Sequence, residues 1–211
     1  MDPSRFKAPV LSKAEIEASA NDIRRRYPST KTLPVDVLGF AEFDLELEFD
    51  FAPIQQLRQD AFLRPDLTGI WFDGVVFKEP TLQQRLRFSA AHELAHLFLH
   101  QDIYGSLNFR TVKQWIAFIN AIPAAEYNWI EWQADEFAGQ FLIPSENLSV
   151  ALDETVKDAE LEGFFSQGPE EVLEFCCRAM HRDFGVSRQA MQTRIRKSKF
   201  WPHPSVPVKS V

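Results

Sequence analysis

Hydrophobic positions recur at helical spacing over most of this chain and switch to alternation only around residues 45–79. In SKAEIEASANDIRRRY, Ser12 stands three residues before Glu15, and Ile16, Ala20 and Ile23 follow, which predicts a capped helix over about residues 12–27. LPVDVLGFAEF predicts a second short helix with Pro34 in its first turn, and LELEF then alternates apolar with acidic residues as a half-exposed strand does. In GIWFDGVVFKEP, Asp73-Gly74 separates two apolar runs, a strong hairpin signal because a type I′ turn needs positive φ twice. Pro80 ends that hairpin, and Thr81 with Gln84 predicts the cap of a helix whose spacing runs from Leu82 to Leu99. An aromatic-rich connection follows, with VKQWIAFINAI as a short helix, and YNWIEWQADEFAGQFLIP predicts a long helix closed by Pro144. The acidic region from residue 151 reads as less ordered at its start. Two helices over about 169–183 and 187–199 complete the pattern, and the tail WPHPSVPVKSV reads as loosely held.

A chain of 211 residues, 45% hydrophobic, can bury one sizeable core, so the expectation is a single domain over residues 1–200. Its C-terminal helical part would span about 165–200, with a proline-rich tail at 201–211. A net charge of −7 argues against a protein whose main task is to neutralise nucleic-acid phosphates or coat an anionic membrane. Between Arg178 and Lys199 seven basic residues face one acidic residue, which reads as a solvated basic face and not as a DNA-binding helix pair. No run approaches the roughly 18 apolar residues that span a bilayer, and the first residues lack the apolar centre of a secretory signal. The expected location is cytoplasmic. Cys176 and Cys177 are adjacent, so they read as reduced packing residues.

The chemistry concentrates in AAHELAHLFLH, residues 90–100. His92 and His96 are four apart and emerge from one helix face, so both imidazoles can reach one ion at about 2.0–2.1 Å. Glu93 is rotated by about 100° and flanks the ion, where a general base can take a proton from the attacking water and pass it to the leaving amine. By composition alone this pattern arises by accident with a probability on the order of 1%. A catalytic zinc takes three protein ligands and keeps a fourth position for water. EWQAD supplies the candidate: Glu131 as third ligand, with Asp135 on the same face accepting a hydrogen bond from the far nitrogen of a ligand histidine, His92 by preference. His100 is the rival ligand. It lies about 12 Å of helical rise beyond His92, too far for one small ion to gather all three histidines, and is expected to interact with the helix C-terminus or pack locally.

At QRLRFSAAHELAHLFLH and EWQADEFAGQFLIP the sequence resembles the ImmA/IrrE family of metallo-endopeptidases, zinc proteins of the gluzincin type. FGVSRQAMQTRI is similar to the family's closing segment, and the likeness covers roughly residues 10–200. The resemblance implies an α+β fold: a mostly helical zincin-like peptidase domain with a small twisted sheet beside the HExxH helix. It implies one Zn2+ ion held by His92, His96 and Glu131, with Glu93 as catalytic base and Asp135 behind the ligands. It also implies a protein substrate, a helix-turn-helix repressor or an antitoxin, because family members are typically encoded beside such partners and some cleave them. Direct contact with nucleic acid or membrane is not expected. The alternative is a metal-binding interaction or toxin–antitoxin component that acts by binding alone. The chain departs from the family in the long aromatic connection, which carries Trp115, Ile116, Phe118 and Ile119 and reads as an accessory helix, a lid or a docking surface. An extended peptide could add to a sheet edge, for which GVVFKE is the candidate strand. Tyr104, Tyr127 and His181 remain open as oxyanion-stabilising residues.

Overall fold

Ser12 caps the first helix as its spacing predicts: its hydroxyl accepts the Glu15 N–H while the Glu15 carboxylate accepts the Ser12 N–H. A computed structural model describes residues 3–51, 60–107 and 112–207. In chain order these form α1 (Lys13–Arg26), α2 (Val37–Gly39) running into a π-helical turn over Phe40–Asp44, then strands β1 (Glu48–Phe51), β2 (Ala61–Leu63) and β3 (Gly69–Phe72). Helices α3 (Gly74–Lys78), α4 (Gln83–Leu99), α5 (Gln101–Leu107), α6 (Val112–Ala121) and α7 (Ala124–Leu142) follow. The remaining helices are α8 (Ser145–Leu161), α9 (Pro169–Met180) and α10 (Arg188–Lys197). The architecture is a mostly helical α+β zincin-like domain with a small mixed sheet. Two compact units divide the chain, one of residues 1–32 and 36–141, the other of residues 33–35 and 142–211.

In the first unit β3 is the central strand, parallel to β1 and antiparallel to β2. Gly69 pairs with Glu48 at the start of β3, and a Cβ there would collide with the Glu48 carbonyl oxygen, so the close approach of β1 and β3 requires glycine. β2 packs on α4, which places one edge of the sheet against the helix carrying HELAH.

Several boundaries differ from the sequence reading. Asp73-Gly74 is not a hairpin turn. Asp73 is extended, and its carboxylate accepts the N–H groups of Val75 and Val76, capping α3. Both edges of β3 are taken by β1 and β2, so the following apolar run has no edge left to pair with and closes into a helical turn instead. GVVFKE is therefore not a sheet edge; among the described residues the edge strands are β1 and β2, and β2 is the one against α4. Pro34 lies outside α2, whose cap is Asp36 accepting the Gly39 N–H at 3.0 Å. The strand in LELEF begins only at Glu48, because Leu47 still donates to the Ala41 carbonyl at the close of the π turn. Thr81 does not cap α4; Glu79 caps a 3-10 turn over Pro80–Leu82 instead. The acidic region past residue 151 is ordered helix, since α8 buries Leu148, Leu152, Val156 and Ala159 along one stripe and leaves its acidic residues to solvent.

The core of the first unit is aromatic. Phe137 and Phe141 on α7 stack at 5.8 Å between ring centres, Phe98 of α4 lies 6.1 Å from Phe137, and Phe40 of the π turn meets Phe141 at 5.7 Å. Phe40, Phe137 and Phe141 are fully buried. This cluster ties α4 to α7, the two helices that carry the candidate ligands. Truncating Phe137 to alanine is expected to destabilise the protein by about 3–5 kcal/mol, read as a lowered urea midpoint with unchanged slope. A loss under 1 kcal/mol would mean that the cluster does not brace these helices.

In the second unit α9 packs against both α8 and α10. Val172, Leu173, Cys176, Cys177, Met191 and Ile195 are buried there. Arg194 is buried as well and donates to the Ile143 carbonyl at 3.1 Å and the Ser145 hydroxyl at 2.8 Å, capping backbone where α7 gives way to α8. The basic face is partly neutralised within the unit, with Arg196 on Glu170 and Arg188 facing Glu174. Both cysteines are free, and burial pushes their thiols up to about 12, as suits inert packing residues.

Candidate metal centre

Three side chains from α4 and α7 converge in the first unit. His92 Nε2 stands 3.2 Å from His96 Nε2 and 3.3 Å from one Glu131 carboxylate oxygen, and His96 Nε2 stands 3.6 Å from the other. One donor atom from each residue lies within 4.8 Å of the others. Ligands held tetrahedrally at zinc distances are separated by about 3.3 Å, so the spacing fits a single such ion. The donor chemistry fits too. Each imidazole spends its Nδ1 elsewhere: His92 Nδ1 lies 2.9 Å from Asp135 Oδ1, and His96 Nδ1 lies 2.9 Å from His100 Nδ1. Both Nε2 lone pairs and the Glu131 carboxylate then face one another, an arrangement that repels unless a cation or a proton sits among them.

The surroundings make these groups unusual acids and bases. Burial pulls His92 down, but hydrogen bonds to Asp135 and Glu131 and the charge of Glu93 outweigh it and raise the imidazole to about 10. A proton on His92 is thus held where three donors converge. Burial, with the neighbouring His92 and His100, lowers His96 well below its ordinary value, and burial lowers His100. Glu93 is 4% exposed, and burial raises its carboxyl to about 7 against the opposing pull of His92 and a backbone donor. That donor is the Leu63 N–H of β2, at 2.7 Å. A carboxyl at the boundary between its two forms near neutral pH can both accept and return a proton.

A cleft of about 200 Å3 opens between the start of β2, at Asp60 and Ala61, and the α4 face that carries Ser89, His92 and Glu93, with Glu131 also on its wall. Asp60 is held by Arg85 through a two-pronged ion pair. Glu93 therefore sits on the cleft, beside the three converging donors and under a sheet edge.

Of the residues singled out in sequence, His92, His96, Glu93, Glu131 and Asp135 come together here. His100 does not join the three donors; it caps the C-terminus of α4 and places Nε2 2.9 Å from Gln133 Oε1. Tyr127 hydrogen-bonds Glu131 and is raised, by burial first and then by that carboxylate's charge. Tyr104 is buried with its ring 6.4 Å from that of His96, and burial raises its hydroxyl well above the usual value. Phe118 and Ile119 of the aromatic connection line a small pocket with His96, Tyr104 and Tyr127, so α6 packs beside the site. His181 belongs to the second unit, where its ring donates to the Val186 carbonyl at 3.0 Å. Sequence reasoning missed three participants: the Leu63 N–H, Gln133 and the Pro9 carbonyl. The first and last are backbone groups with no residue signature, and Gln133 reads as an ordinary polar position between Glu131 and Asp135.

Comparison with known families gives a match over much of the chain. The family model for M78 peptidases, described as the IrrE N-terminal-like domain, matches residues 76–196, more than half of the chain. The chain belongs to this family, and so to the metallopeptidases. A comparison with curated proteins gives no match. Among the described residues no helix is long and apolar enough to cross a membrane.

Proposed function

We propose that the protein is a zinc-dependent endopeptidase that cleaves a partner regulatory protein, a helix-turn-helix repressor or an antitoxin. The observation that carries the reading is the carboxyl of Glu93, poised near neutral pH on the wall of a cleft that also holds the His92–His96–Glu131 cluster. A protein that only bound its partner would have no use for a base at that place. His92, His96 and Glu131 would hold the ion, which when bound supplies Lewis-acid chemistry, polarising the scissile carbonyl and acidifying the attacking water. The chain's own residues supply the rest. Glu93 takes the proton from that water and delivers it to the leaving amine, and the Leu63 N–H keeps the Glu93 carboxylate aimed across the cleft. An extended substrate lies along β2, the strand facing α4, so that main-chain hydrogen bonds align its scissile bond in the cleft. Asp135 holds the His92 tautomer that presents Nε2 to the ion.

The partner class follows from the family resemblance. Its test is incubation with any helix-turn-helix repressor or antitoxin found encoded beside it, with and without chelator, followed by intact-mass spectrometry. A pair of fragments that appears only when zinc is present supports the reading. An intact repressor under every condition, alongside a stable complex between the two proteins, would replace it with action by binding alone.

Loading the site should release a proton. Since His92 is raised to about 10, it is protonated at neutral pH before a cation arrives and must give up that proton to become a ligand. Apparent zinc affinity is therefore expected to rise about tenfold per pH unit between roughly pH 7 and 9. Calorimetry in buffers of different ionisation enthalpy counts the released proton directly. A pH-independent affinity would show that His92 is already neutral.

A further inference from the structure

Behind His96 runs a chain of hydrogen bonds with no carboxylate in it. His96 Nδ1 meets His100 Nδ1 at 2.9 Å, His100 Nε2 meets Gln133 Oε1 at 2.9 Å, and Gln133 Nε2 donates to the Pro9 carbonyl at 2.6 Å. His96, His100 and Gln133 are all buried, at 5%, 1% and 0% exposure. The direction of every bond follows from its far end. A carbonyl oxygen only accepts, so the Gln133 amide nitrogen faces Pro9 and its oxygen faces His100. His100 must then carry its proton on Nε2, which leaves Nδ1 as an acceptor. His96 in turn must donate from Nδ1, which leaves its Nε2 lone pair pointing at Glu131 and His92. Had the chain run the other way, His96 Nε2 would carry a proton and could not bind a cation.

We propose that His100 and Gln133 are positioning residues for the metal centre, forming a neutral relay that fixes the tautomer of His96 and is anchored on the backbone of the N-terminal segment at Pro9. The proposal rests on the reading of His96 as a zinc ligand. The anchor is well held. Trp129 Nε1 also donates to the Pro9 carbonyl, at 3.2 Å, and one step earlier the Ala8 N–H donates to Glu126 at 2.9 Å while Lys7 pairs with the same carboxylate. Glu126, Trp129 and Gln133 fall at i, i+3 and i+7, along one stripe of α7, so the segment is clasped over the helix that also carries Glu131. Asp135 does for His92 what a carboxylate commonly does for a ligand histidine. The relay serves His96 without adding a negative charge to a pocket that already holds Glu93 and Glu131.

The test measures zinc affinity by competition with a chromophoric chelator on the full chain. His100→Leu is expected to bind zinc about 10–100-fold more weakly than the parent. His100→Asn, which keeps an oxygen acceptor at the position facing His96 Nδ1, is expected to recover most of that loss. Equal affinity in His100→Leu and parent, or no recovery in His100→Asn, overturns the relay. His96→Ala is the control for the reading beneath it: unchanged affinity there would remove the ligand assignment, and the relay with it. Nitrogen-15 histidine spectra of the zinc-loaded parent decide the matter without any substitution. His100 is expected to be protonated at Nε2 alone and His96 at Nδ1 alone; a proton on His100 Nδ1 overturns the proposal.

Discussion

Glu93→Gln protein is expected to bind zinc at least as tightly as the parent and to cleave its substrate about 10²–10⁴-fold more slowly, a loss confined to kcat. The substitution is nearly isosteric, and a glutamine amide oxygen can still accept the Leu63 N–H that the carboxylate accepts at 2.7 Å. What it cannot do is take a proton from water. A second measurement on the same variant separates chemistry from folding. In the parent, burial raises the Glu93 carboxyl from its ordinary value of 4.5 to about 7. A carboxyl whose folded pKa lies above its unfolded one contributes stability that is fully present below pH 4.5 and is lost as pH rises through about 7. In chelator, the parent should therefore lose stability across that window by an increment that Glu93→Gln lacks. If the two proteins show the same pH profile of unfolding, Glu93 is an ordinary carboxylate. If the variant retains full activity, it is not the base.

The site was more legible than the sheet that flanks it, and the reason is physical. Side chains on helices obey a fixed rotation per residue, so His92 with His96, and Glu131 with Asp135, declare shared faces from spacing alone. What spacing does not reveal is which distant groups meet those faces. Leu63 reaches Glu93, and Pro9 closes the His100 chain, through backbone atoms that any residue would offer. Asp73-Gly74 illustrates the other limit. The same dipeptide can cap a helix or turn a hairpin, and the choice fell to the sheet order, which left β3 with no free edge. The acidic face of α8 was misleading in a similar way, because its charges obscured the stripe from Leu148 to Ala159 that is buried in the second unit. Local propensity was overridden wherever a tertiary partner decided the outcome.

Glu131→Gln should leave the protein folded and largely free of zinc after dialysis, where the parent retains one ion per chain. On the proposed ligand set, replacing this charged carboxylate by a neutral amide removes roughly one of three protein ligands. If each supplies about 3–4 kcal/mol of an apparent binding free energy of ~10 kcal/mol, affinity falls by about 10²–10³-fold. That exceeds the loss expected from His100→Leu, and the ranking carries the argument. Glu131 is the group whose two oxygens face both imidazoles, at 3.3 and 3.6 Å, whereas His100 touches the cluster only through the back of His96. The substitution also removes a charge that helps raise His92, so the proton released on loading should titrate at lower pH in the variant. A Glu131→Gln protein that keeps one zinc ion would assign the third ligand elsewhere. With it would go the convergence of α4 and α7 on a single ion, since His92 and His96 alone belong to one helix and demand no particular tertiary fold to meet.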